Sequence, residues 1–134
     1  MKRLFFPSLL LFVSLALFVL NLFFERYHAY FLFPWLDIPM HIASSGMVAL
    51  VALTAVFHSR LLAKASTSRF VFALALGSAL TVGVLWEILA PVFGHIAPAG
   101  HGVAVDTASD LVNDLLGGVG AALLFIGRGY NKHI

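Results

Sequence analysis

The chain of 134 residues is 61% hydrophobic and only 10% charged, carries a formal charge of +2 and contains no cysteine, and its mean hydropathy is +1.00. A soluble domain carries roughly 25% charged residues, so this composition excludes a soluble globular domain and a basic nucleic-acid surface. Without cysteine there are neither disulfides nor thiolate ligands, and any metal must be held by carboxylate, imidazole or carbonyl groups.

At about 20 residues per span, the length holds four membrane helices and short connections. The first is expected over residues 4–24. Lys2 and Arg3 followed by an apolar run resemble a secretory signal, but the run is long and no small-x-small cleavage site follows, so it reads as a retained span. Pro7 falls in its first turn and Asn21 near its far end. Residues 25–36 are rich in Tyr, Phe and Trp, which settle at headgroup level, and form an interfacial belt. The second span is expected over 38–57, with Pro39 in its first turn. Residues 58–69 carry Arg60, Lys64 and Arg69 and read as a surface loop.

The third span is expected over 70–90, with Trp86 and Glu87 one turn before Pro91. Residues 91–105 contain Gly94, His95, Pro98, Gly100, His101 and Gly102, the composition of a loop or re-entrant turn. The fourth span is expected over 106–126, followed by a short polar tail. Seven of the eight Lys and Arg residues (2, 3, 60, 64, 69, 128 and 132) fall on the side of the termini, and Arg26 alone on the other. The positive-inside bias therefore places both termini in the cytoplasm of an inner (plasma) membrane protein. The expected fold is all-α, an integral membrane bundle of four helices.

All six acids, Glu25, Asp37, Glu87, Asp106, Asp110 and Asp114, then lie near the outward helix ends. Each intramembrane carboxylate costs about 2.5–3.5 kcal/mol on the insertion scale, so their gathering has a cause. Asp106, Asp110 and Asp114 are spaced i, i+4 and i+8, one helical stripe about 12 Å long. Asp106 and Asp110 have a structural alternative as a helix cap and a capping box through Thr107, whereas Asn113 and Asp114 lie too deep to cap. Asp37 and His41 share a face at i and i+4, with the alternative that Asp37 caps the second span. Glu87 beside Trp86 is either an interfacial anchor or a functional acid. Gly117, Gly118 and Gly120, with Gly46, Gly77 and Gly83, read as small-residue packing faces. His95 and His101 stand where a loop would cover the cluster. No Gly-x-Ser-x-Gly, phosphate-binding glycine loop or His-Glu-x-x-His is present.

Asp37-x3-His41, the acid Glu87 ending the next span, and Ser-Asp-Leu-Val-Asn-Asp-Leu-Leu-Gly over 109–117 resemble the VanZ-like and YjdF-like small bacterial membrane proteins, over roughly Asp37 to Ala122. The VanZ-like Asp, Asn and Gly of the last span correspond to Asp110, Asp114 and Gly117, with Asp114 in place of Asn. The YjdF-like Asp-Thr-x-x-Asp corresponds to Asp106, Thr107 and Asp110. The VanZ-like Gln after the acid and Arg before the last span have no counterpart. The resemblance implies a fold and a set of residues more than an activity.

The leading expectation is a divalent metal ion at the outer interface, with His41, Glu87, Asp110 and Asp114 as ligands and Asp37, Glu87 and Asp114 as catalytic groups, acting on a lipid-linked cell-envelope substrate. Asp37 would orient His41 or serve as a base. The alternatives are a proton or cation relay in a small transporter, formed by one chain or by a homo-oligomer, and a structural or accessory membrane subunit. Membrane lipid is the expected partner, and nucleic acid is not.

Overall fold

The computed structural model describes residues 7–59, 67–94 and 102–132. Among them the regular structure is helical: α1 (Pro7–Arg26), a one-turn α2 (Ala29–Leu32), α3 (Asp37–His58), α4 (Ser68–Leu89) and α5 (Val103–Gly127), with single 3-10 turns at Pro34–Leu36, Ala90–Phe93 and Tyr130–Lys132. Four segments are long and apolar enough to cross a membrane, Pro7–Arg26, Pro34–His58, Ser68–Phe93 and Val103–Gly127.

Two helix starts lie earlier than the sequence suggests. The turn Pro34–Leu36 runs straight into α3, so Asp37 is itself helical (φ −63°, ψ −43°) and is not in the extended conformation of a cap. At α5 the extended Gly102 (φ −74°, ψ 152°) is the N-cap and makes no side-chain cap bond. The apolar Val103, Ala104 and Val105 form the first turn, which puts Asp106 inside the helix. The capping-box reading of Thr107 and Asp110 is therefore incorrect: the backbone donors it would satisfy lie one turn earlier.

Helices α3, α4 and α5 pack on one another, while α1 packs mainly on α3. The buried face of α5 repeats with helical period through Asp106, Asp110, Asn113, Asp114, Gly117, Gly118, Ala121, Ala122 and Phe125. It begins polar, turns to small residues and ends apolar. At the apolar end Phe125 meets Phe57 and Tyr130 (ring centroids 5.0 and 5.3 Å apart) above Leu53, Val71 and Ala75. Midway, Gly117 lies so close to Ser45 and the α3 backbone that an added Cβ would overlap both. Gly46 and Gly118 are similarly close to neighbouring helices, whereas Gly77 and Gly120 have nothing within 4 Å and take no part in the packing. Small residues thus draw α3 and α5 together, as close membrane-helix crossings require.

The aromatic belt divides. Tyr27, Phe31, Phe33 and Trp35 are exposed, but Tyr30 turns inward and is buried.

Candidate metal centre

The up-and-down course of the helices brings the C-terminal ends of α1 and α4 beside the N-terminal ends of α3 and α5, and the acids with them. His41, one turn into α3, projects between α3 and α5. Its Nδ1 lies 3.0 Å from Asp114 Oδ1. Its Nε2 lies 3.6 Å from Asp37 Oδ1 and 3.4 Å from Asp110 Oδ2. One imidazole is therefore surrounded by three carboxylates.

All four side chains are withdrawn from the surroundings. Asp110 is 1% exposed, Asp114 4% and Asp37 6%, and the His41 side chain is 10% exposed. Asp114 Oδ2 and the Asn113 amide nitrogen have no hydrogen-bond partner, and the Asp110 carboxyl lies against that of Asp37. Buried polar atoms left in this condition are costly, and the cost is greatest for charged groups.

An ionised carboxylate only accepts, so with Asp114 ionised the close contact has the proton on His41 Nδ1, which donates. Nε2 then faces two carboxylates either with a second proton or with a lone pair. Even the imidazolium supplies one positive charge against three negative ones. Fixed cations do not fill the deficit: between residues 4 and 59 the one Lys or Arg is Arg26, which is exposed at the end of α1. Further protons or a bound cation must balance the cluster.

Ligand atoms of Asp37, His41 and Asp110 all lie within 4.8 Å of one another, a group able to hold a metal ion. Asp114 stands behind this group on the other ring nitrogen. Glu87 also stands outside it: its carboxylate accepts a 2.6 Å hydrogen bond from Thr107 Oγ1 and ties α4 to α5. Thr107 precedes Asp110 by three residues, so Glu87 sits about one turn further out. Asp106 is buried on the same stripe. His95 and His101 lie outside the described residues.

Tyr30 joins the neighbourhood without any signal in the sequence beyond being one more belt aromatic. Its hydroxyl donates to Asn21 Oδ1 at 2.5 Å. Burial first, and then the nearby Asp37, Glu25 and Asp110 carboxylates, push its ionisation upward and keep the phenol neutral.

A family model described as "Predicted membrane protein (DUF2238)" matches residues 1–131. None of the curated proteins and none of the solved structures matches the chain.

Proposed function

The chain belongs to this family of membrane proteins, and we infer that it binds one divalent cation between Asp37, His41 and Asp110, at the outward end of a multi-pass inner-membrane bundle, to act on a lipid-linked substrate of the cell envelope. The observation that carries the reading is the spacing about His41 Nε2. Its separations of 3.4 and 3.6 Å from two buried carboxylate oxygens exceed the roughly 2.7–2.9 Å of a charge-assisted hydrogen bond. They fit instead the edge of about 3.4 Å that metal–ligand bonds of about 2.1 Å subtend in a tetrahedral site. The donors are oxygen and imidazole nitrogen, as the lack of cysteine requires.

In this reading Asp114 is not a ligand. It fixes the His41 tautomer from behind, the carboxylate–histidine arrangement that supports many metal sites. A cation so held supplies a Lewis acid for a phosphate oxygen or lowers the ionisation of a bound water. Glu87, one turn further out, is placed for proton transfer. The excess of Lys and Arg on the side of the termini supports their cytoplasmic placement.

The test is the metal content of purified protein, by elemental mass spectrometry, for the wild type and for His41→Ala with Asp110→Ala. Near one equivalent of divalent metal in the wild type, lost in the double variant, is expected. Folded wild type that holds none after incubation with zinc, manganese and magnesium would sink the reading.

A relay is the second reading, favoured by the buried and unpartnered hydroxyls of Ser14 and Thr54. Thr54 lines, with His58, a cavity of about 270 Å³ between the far ends of α1 and α3. Proton uptake by proteoliposomes under an imposed pH gradient separates the two, since a closed metal site passes none.

A further inference from the structure

A cavity of about 170 Å³ lies beside His41 and Asp114, with walls from α1, α3 and α4. It reaches from the level of Asn21, His41 and Trp86 to that of Ser14, Val48 and Ala79, which is about 10 Å along the helices at 1.5 Å per residue. Its lining is mostly apolar, with Ser14 at the deep end, and two of its wall residues are Met40 and Met47, unbranched side chains that adapt to irregular occupants. Asp114 contributes to the same wall, while its Oδ2 is turned against Gly83 and is shut off from the cavity.

The mouth faces the bilayer. Packing between α1 and α4 is marginal at most, and the residues that flank the gap, Phe18 and Val82, are 48% and 42% exposed. In a helix that crosses a membrane such exposure is to hydrocarbon. The volume corresponds to about five or six groups of water size at about 30 Å³ each. That suits a stretch of one slender chain, and it is too small for a drug-sized ligand of roughly 300 Å³ or more.

We propose that this cavity takes one hydrocarbon chain of a membrane lipid through the gap between α1 and α4. This deepens the functional reading by giving its substrate a chain slot, and rests on that reading only for the chemistry at the head group. The slot sets substrate class: a lipid with a slender hydrocarbon chain, presented from within the outer leaflet, with its head held beside the cation.

The probe is phosphatidylethanolamine bearing a diazirine on one acyl chain, in nanodiscs with the full-length protein. Photolysis and peptide mass spectrometry are expected to label Met47 and Val48 inside the slot as well as the lipid-facing Leu15 and Leu123. Val82→Trp closes the mouth, and Met47 labelling is expected to fall about tenfold, equivalent to about 1.4 kcal/mol, with Leu123 unchanged. Leu17→Trp on the opposite wall gives the same result if Val82→Trp does not yield folded protein. Labelling confined to Leu15 and Leu123, or Met47 labelling insensitive to both tryptophans in folded protein, overturns the slot. Metal content read on the same samples keeps the two readings apart: slot labelling without metal retains the slot and rejects the cation, and metal without slot labelling does the reverse.

Discussion

His41 is the residue on which the charge balance turns, because both ring nitrogens meet carboxylates and neither meets water freely. If a cation balances Asp37 and Asp110, its removal restores their repulsion. Chelation is therefore expected to lower the melting temperature of the wild type, by the equivalent of about 2.7 kcal/mol where the cation stands at about 100 times its dissociation constant. Asp110→Asn removes one charge, and its melting temperature should not respond to chelator; a response equal to that of the wild type would contradict the balance described. Tyr30 gives a second test at this scale. Its ionisation is raised in the folded chain, so the unfolded chain loses the proton first as pH rises, and stability is fully present below pH of about 10 and falls above it. Tyr30→Phe should flatten that alkaline loss, at a cost of about 1 kcal/mol near neutrality from the missing bond to Asn21, both read from melting curves across pH.

Among the elements, α5 does most of the positioning, and its glycines differ in what they permit. A methyl at Gly83 of α4 would overlap the Asp114 carboxylate, and one at Gly117 would overlap Ser45 and the backbone of α3. Gly83→Ala is expected to dislodge Asp114 from His41 and abolish cation binding while helix content by circular dichroism stays constant. Gly117→Ala should destabilise by about 1–3 kcal/mol through overpacking. Gly120→Ala, with open space about it, should be neutral or slightly stabilising, since alanine favours a helix by up to about 1 kcal/mol over glycine; similar losses at positions 117 and 120 in a thermal-shift series would contradict the packing described.

The stripe of Asp106, Asp110 and Asp114 was legible because a spacing of four residues is a property of the helix alone, and so was the sharing of a face by Asp37 and His41. The start of α5 was not. Val103–Val105 follow a glycine-rich stretch and carry no capping side chain, so they read as loop; they are exposed, and form the first turn ahead of the buried face that starts at Asp106. Nor can local spacing show that Asp114 and Asp110 address opposite nitrogens of one ring, because that depends on how far α3 and α5 approach at Gly117. Tyr30 was hidden among exposed aromatics of the same type.

For the molecule as a whole, the distribution of Lys and Arg predicts that reporters fused at either terminus report the cytoplasm, and that a cysteine placed at Trp35 is reached by an impermeant thiol reagent added from outside. Protection at Trp35 with labelling at the termini would invert the orientation.

The two ends of α5 are joined to their neighbours by different forces. Around Phe125 the contacts are apolar and indifferent to solutes, whereas around Asp110 like charges face one another and attract only through what lies between them. The bundle is thus a hinge pinned at one end and fastened at the other by a removable clasp. If a cation is that clasp, removing it is expected to loosen the acidic ends and leave the pin as it is.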